Sequence, residues 1–170
     1  MHIFYRKNTW KWLAYALTLL VVDTLQNTPH LFPVISNARP VLLLPFVIAV
    51  ASIESAGAGG AFGAAAGLFW DLSGGAPFGF HGVFLMMVGI FTGLLVREVF
   101  HASPLSALLF GLCFTFLMEL ISWFFLDYMT GGQDFVYSFF QIILPTTFYS
   151  FAFVVPFYFW VKHLHLRLTE

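Results

Sequence analysis

The sequence predicts an all-α membrane protein, a single domain over residues 1–170 built as a bundle of six transmembrane helices. Two observations predict this class. Of the 170 residues, 60% are apolar and only 9% are charged, whereas a soluble domain of this size needs a much more charged surface. The apolar residues fall into six runs separated by turn-forming and charged residues. Since a membrane-crossing helix needs about 20 mostly apolar residues, six would use about 120, and little remains for a soluble domain.

The six runs can be placed in order from the residues that bound them. The first run ends before Pro29, and the second begins at Pro40, a residue suited to the first turn of a helix. The third is rich in Gly and Ala, and the fifth opens at Pro104. The sixth contains Pro145 and Pro156, which we expect to interrupt its helix. The predicted spans cover residues 10–26, 40–54, 57–72, 80–96, 104–128 and 135–161.

Lys and Arg residues are distributed unevenly between the two ends of the predicted bundle. If the chain crosses six times, only Arg39 lies on the side opposite to both termini. The cations on the other side are Arg6, Lys7, Lys11, Arg97, Lys162 and Arg167. Because short loops rich in Lys and Arg stay in the cytoplasm, we expect a multi-pass protein of the cytoplasmic membrane with both termini inside the cell.

The third run carries a repeating glycine pattern. Gly59, Gly63 and Gly67 recur every four residues and therefore share one helix face, and Gly89 and Gly93 form a second small-residue pair in the fourth run. In lipid, small residues allow two helix backbones to approach closely. We expect the face formed by the first three glycines to receive another helix, either a neighbour within the bundle or the single span of a partner.

One acid, Asp71, ends the glycine-rich run, and a turn through Gly79 leads from it into the fourth run. An ionisable group at membrane depth is costly and should face protein or water. We interpret Asp71 as a turn-capping residue that accepts hydrogen bonds from backbone N–H groups, a role in which Asn should accept the same bonds. His81 could pair with Asp71 across this turn. A proton relay or ion site is the alternative, for which Asp23 and Glu119 are weaker candidates.

The sequence contains little equipment for bond-making chemistry. It has no G-x-S-x-G nucleophile motif, no H-E-x-x-H zinc motif and no phosphate-binding glycine loop. Its single cysteine, Cys113, excludes an internal disulfide and is expected to pack in the core. We therefore expect no enzyme, no metal, no cofactor and no nucleic-acid partner. A transport function stays open, because broken helices mark binding sites in many transporters.

Residues 39–82 combine these features in one pattern. Arg39 and Pro40 open a Leu-rich run, a G-x-x-x-D-L-x-G-G motif begins at Gly67, and Gly79 precedes the next run. This pattern resembles that of the MreD family, the rod shape-determining membrane proteins of bacteria. The resemblance implies a fold similar to the substrate-binding subunits of energy-coupling-factor transporters, and a location in the bacterial inner membrane, in contact with membrane lipid.

The same resemblance implies a non-enzymatic scaffold of the machinery that elongates rod-shaped cells and organises peptidoglycan synthesis. Members of the family act beside MreC, a single-span protein with an extracytoplasmic β domain, and are connected to MreB, the RodA glycosyltransferase and a class B penicillin-binding protein. The alternative is a small-molecule-binding subunit of a vitamin transporter, which would need a polar cavity between its helices. The expected helix-packing or partner-contact residues are Gly59, Gly63, Gly67, Asp71, Gly79, Gly89 and Gly93.

Overall fold

Six helices make up most of the part of the chain that the computed structural model describes, which is residues 2–29, 31–33, 38–74, 77–100, 102–129 and 134–169. The all-α prediction is confirmed for these residues. The helices are α1 (His2–Asn27), α2 (Leu43–Ile53), α3 (Ala56–Gly74), α4 (Phe80–Glu98), α5 (Pro104–Ser122, continued by the π-helical segment Trp123–Tyr128) and α6 (Phe135–Thr169).

Three of these helices are long and apolar enough to cross a membrane: α4, α5 and α6. The other three fail for different reasons. α3 has 19 residues, or about 28 Å, but glycine and Asp71 lower its hydropathy. α1 is longer but carries Lys11 and Asp23, and α2 is strongly apolar but has only 11 residues, or about 17 Å. Six crossings therefore stay a prediction.

α2 lies at the centre of the bundle. It contacts each of the other five helices, and residues 43–52 are all buried. Leu43, Phe46 and Ile48 have no exposed surface at all. A helix this short, about half the thickness of the hydrocarbon core, is tolerated because the other helices rather than lipid surround it and its ends.

The segment before α2 enters the bundle as non-helical chain, so the prediction that the second helix begins at Pro40 is wrong. Two side chains from other helices satisfy its backbone instead. Ser150 Oγ of α6 accepts the N–H of Val41 at 2.8 Å, and Gln26 Oε1 of α1 accepts the next two N–H groups at 2.7 and 3.0 Å. Irregular backbone inside a bundle is viable where protein side chains replace water as hydrogen-bond partners, as they do for these three N–H groups.

α6 runs unbroken from Phe135 to Thr169, so the prediction that Pro145 and Pro156 interrupt it is wrong. The π-helical segment Phe139–Ile143 comes just before Pro145. A proline ring normally collides with the carbonyl four residues earlier, and the wider π-helical turn relieves that collision. Pro156 lies within the α-helical part on an exposed surface.

The outer surface of the bundle is apolar. Leu17 of α1, Val83 of α4, Leu105 of α5 and Phe140 of α6 are each more than half exposed. So many exposed apolar side chains are unfavourable in water but match lipid acyl chains. Cys113 lies on this surface too, which shows that the prediction of core packing for it is wrong.

Candidate functional site: the glycine-packed helix pair and its capping aspartate

α3 and α4 form the most extensive helix pair in the bundle, and the predicted glycines of α3 face α4. A Cβ on Gly63 would lie 2.2 Å from the carbonyl oxygen of Leu85, and one on Gly67 would lie 2.2 Å from that of His81. A Cβ on Gly59 would lie 2.5 Å from the Ala51 side chain of α2. Since real Cβ atoms do not approach other atoms this closely, only glycine fits at these positions.

The glycines of α4 complete the same interface from the other side. A Cβ on Gly89 would lie 2.1 Å from the carbonyl oxygen of Gly59, and a Cβ on Gly93 would lie 2.4 Å from Cα of Ala56. The two small-residue patches found in the sequence therefore pack against each other. A neighbour within the bundle occupies the Gly59/Gly63/Gly67 face, and a partner's helix could reach it only if α4 moved away.

Asp71 lies at the far end of α3 and caps the first turn of α4. Its Oδ2 accepts the backbone N–H groups of Gly79 at 2.9 Å and Gly82 at 3.2 Å. Its Oδ1 accepts the backbone N–H of His81 at 3.2 Å and contacts the ring Nδ1 of His81 at 2.7 Å. The carboxyl group is fully buried. A carboxylate at this position also meets the positive end of the α4 dipole.

Both oxygens of Asp71 take part, so the expectation that Asn would accept the same bonds is wrong. An Asn side chain has one oxygen, and its amide nitrogen is a donor. In the place of Oδ2 that nitrogen would face the N–H groups of Gly79 and Gly82, and in the place of Oδ1 it would face the backbone N–H of His81. The site therefore favours a carboxylate, which has two acceptor oxygens, over the amide of the same shape, which has one.

Trp70 and Asp71 of α3 hold the side chain of His81 in place. The His81 ring stacks on Trp70, with ring centres 4.3 Å apart and planes 12° apart, and it is buried. The predicted pairing of His81 with Asp71 is confirmed. Gly79 precedes α4 with φ at +94°, a left-handed conformation that side chains other than glycine rarely adopt. No atom lies within 4 Å of the place where a Cβ would be, so its requirement is conformational rather than steric.

A second buried polar cluster lies at the other end of the bundle, and the sequence analysis missed it. The Glu54 carboxylate follows α2 and contacts three side chains: Lys11 Nζ at 2.8 Å, Tyr15 OH at 2.8 Å and His165 Nδ1 at 2.7 Å. The side chains of Glu54 and Lys11 are each only 8% exposed. The cluster ties the first half of α1 and the last turns of α6 to the α2–α3 turn, at one end of the bundle.

One signal could have found this cluster. With six crossings, Lys11, Glu54 and His165 all fall on the same side of the membrane, and Glu54 is the one acid beside the tight second turn. Burial tends to raise the pKa of Glu54, but the hydrogen bonds from Lys11, His165 and Tyr15 outweigh it. The net effect is a pKa below the ordinary value of 4.5.

Acidification should therefore destabilise the bundle through Glu54. A carboxyl group whose pKa is lower in the folded state contributes its stability above the unfolded pKa and loses it as pH falls through the folded pKa. We expect the melting temperature of the detergent-solubilised protein to fall below about pH 4.5, and to fall less steeply in Glu54→Gln than in the wild type. Equal pH dependence in both proteins would contradict this role for Glu54.

Asp23 and Glu119 are the two other acids that the sequence offered as candidates. Asp23 is half-buried near the end of α1 and accepts a hydrogen bond from the Asn27 side chain at 2.9 Å. Glu119 is half-buried on α5. Within the described residues, no three side chains of His, Cys, Asp or Glu come together as a metal-ligand set.

The comparisons with known proteins give one match. The family model for the rod shape-determining protein MreD matches residues 6–168. Searches of curated proteins and of solved structures returned no match, so the similarity to energy-coupling-factor subunits stays a prediction. The family match extends well beyond residues 39–82, on which the resemblance rested, and includes most or all of each of the six helices. The chain therefore belongs to the MreD family, the rod shape-determining membrane proteins of bacteria.

Proposed function

We propose that this chain is a non-enzymatic scaffold of the bacterial cell-elongation machinery that binds an MreC-like single-span protein in the inner membrane and helps organise peptidoglycan synthesis. The observation that carries the proposal is the family match over residues 6–168. A RodA-type glycosyltransferase, a class B penicillin-binding protein and MreB are the further partners that we propose for the same assembly.

The packing of the bundle supports a scaffold over a vitamin-binding subunit. A subunit that holds a small molecule at the centre of its bundle needs a cavity there, with a few polar groups that orient the ligand. In this chain the centre is filled by α2, whose residues Leu44, Phe46, Val47 and Val50 have no exposed surface. Apolar filling at the centre suits a protein whose function lies in its contacts with other proteins.

We also propose that all six helices cross the membrane and that both termini are cytoplasmic. The contacts of Lys11 and His165 with Glu54 support this topology, because an even number of crossings brings the first and last helices back to one side. Of the seven Lys and Arg residues, all but Arg39 then lie on the cytoplasmic side, in agreement with the tendency of Lys and Arg to lie in cytoplasmic loops.

The partner's span is proposed to contact the lipid-facing surface rather than the glycine face, which α4 occupies. A scan with a photo-crosslinking amino acid tests this, at one exposed position on each of four helices: Leu17, Val83, Leu105 and Phe140. We expect adducts with the MreC-like protein from one or two adjacent positions, and none in cells that lack that protein. Adducts of equal yield from all four positions would contradict a defined docking surface.

Purification from native membranes distinguishes the two candidate functions. The tagged chain is isolated in mild detergent, and both proteins and small molecules are identified by mass spectrometry. We expect an MreC-like single-span protein together with wall synthases. A stoichiometric small molecule together with ATPase subunits would overturn the scaffold proposal and favour the transporter subunit.

Loss of this protein should change cell shape. If the chain organises wall synthesis along the cell, its depletion in a rod-shaped host should give wider and rounder cells, because new wall material is no longer directed to the side wall. Light microscopy during depletion measures the cell width and length. Re-expression of the wild-type chain serves as the control, and rod shape that persists after complete depletion would contradict the proposal.

A further inference from the structure

Two cavities of the described structure meet at Phe100, in the loop between α4 and α5. The first has a volume of about 590 Å³ and lies between the α2–α3 turn and the end of α4. The second is a groove of about 550 Å³ along α5. Phe100 lines both cavities, so their rims lie side by side at this residue.

The first cavity is lined by groups of both charges. Arg97 contributes a guanidinium group, and Glu54 and Glu98 contribute carboxylates. The Arg97 side chain is 82% exposed and lies 3.7 Å from Glu98, a loose contact that leaves its donors available. Ser52 and Ser55 add hydroxyl groups, and the Ser52 hydroxyl is buried without a hydrogen-bond partner among the described residues.

The second cavity is lined mainly by apolar side chains. Leu105, Leu109 and Leu112 follow one another at helical spacing, and Phe151 of α6 forms part of the wall. Leu105 and Leu109 are 75% and 54% exposed. A groove of this composition on a membrane-facing surface matches an acyl chain, which is flexible and wholly apolar.

We propose that the two cavities together bind one phospholipid with an amine-bearing, zwitterionic headgroup of the phosphoethanolamine type. Arg97 and the Ser52 hydroxyl donate to the phosphate, and Glu98 accepts from the ammonium group. Glu54 already accepts from three side chains, whereas Glu98 has only its 3.7 Å contact with Arg97, so Glu98 is the carboxylate assigned to the ammonium group. One acyl chain follows the leucines of α5 past Phe100.

The charges in the cavity are the reason for a zwitterion rather than an anionic lipid. A headgroup with only negative charge would gain from Arg97 but would be repelled by Glu98, and by the part of the Glu54 charge that Lys11 does not neutralise. A headgroup that carries both charges has a partner for each. The site would hold the loop between α4 and α5 against the membrane surface.

Gly57 allows the cavity to be filled without disturbing the fold. It lines the first cavity, and a Cβ added there would meet only the Ser55 hydroxyl, at 4.0 Å. Gly57→Phe should therefore occupy the headgroup position, whereas Gly57→Ala adds one methyl group and serves as the matched control. Arg97→Gln removes the phosphate partner from an exposed position, so it tests the same site even if Gly57→Phe fails to fold.

Native mass spectrometry of the purified, detergent-solubilised protein tests the proposal. Phosphatidylethanolamine and phosphatidylglycerol with identical acyl chains are added in turn, and the lipid-bound fraction is measured. We expect the wild type and Gly57→Ala to retain phosphatidylethanolamine, and Arg97→Gln and folded Gly57→Phe to retain at least fivefold less. The proposal is overturned by equal retention in Arg97→Gln and wild type, by equal or tighter binding of phosphatidylglycerol, or by no bound lipid. Partner binding is not involved, so failure here leaves the scaffold proposal unaffected.

Discussion

Replacing Gly63 with leucine should prevent the bundle from folding. The Cβ alone would lie 2.2 Å from the Leu85 carbonyl oxygen and 2.6 Å from its carbon, and both are backbone atoms of α4 that cannot rotate away. Overpacking within a core typically costs about 1–3 kcal/mol and sometimes more. We expect a cost at or above the top of that range here, because α3 and α4 would have to separate along their whole contact. The yield of monodisperse protein by fluorescence-detected size exclusion measures the effect.

Two alanine variants on the same helix separate this steric effect from helix propensity. Alanine is favoured over glycine in a helix by about 1 kcal/mol. At Gly57, where the added methyl group meets open space, alanine should leave the melting temperature unchanged or raise it. At Gly63 alanine should lower it. Wild-type stability of Gly63→Leu would show that α3 and α4 do not pack through this face.

Replacing Asp71 with alanine should also destabilise the bundle by several kcal/mol. Two buried backbone N–H groups, those of His81 and Gly82, and the partly buried N–H of Gly79 would lose their acceptor together. Each unsatisfied buried donor costs about 1–3 kcal/mol, and the total stability of a domain is only about 5–15 kcal/mol. The melting temperature in detergent measures the loss of stability, and the yield of correctly inserted protein is a second measure.

The order of three variants tests how Asp71 acts. Asp71→Asn keeps one acceptor oxygen and should lie between the wild type and Asp71→Ala. His81→Ala should cost less than Asp71→Ala, because it removes the ring contact and the stacking on Trp70 but leaves the three backbone bonds in place. An Asp71→Asn protein as stable as the wild type would show that the second oxygen contributes nothing.

These two expectations give the family motif a structural meaning. The motif begins at Gly67, which contacts the α4 backbone, and includes Asp71, which caps the first turn of α4. Gly79 supplies the left-handed residue from which that helix starts. All three serve the junction of α3 and α4. The stretch on which the resemblance rested therefore builds the junction of α3 and α4.

The amino-acid sequence by itself determined the class of the protein, the approximate positions of the helices and the glycine-lined helix faces. These properties are local. An apolar run leaves water for an apolar environment whatever its neighbours in the chain, and glycines four residues apart share a face in any helix. The pairing of Asp71 with His81 was also accessible, since a short turn joins the two residues.

Only the tertiary structure decided which partners these local features find. The glycines of α3 meet those of α4, α2 begins after Pro40 because Gln26 and Ser150 cap its irregular entry, and Glu54 joins Lys11 to His165. Each contact joins residues distant in the chain and depends on how whole helices pack. Hydropathy and spacing describe one helix at a time, whereas the satisfaction of buried polar groups is a property of the assembled bundle.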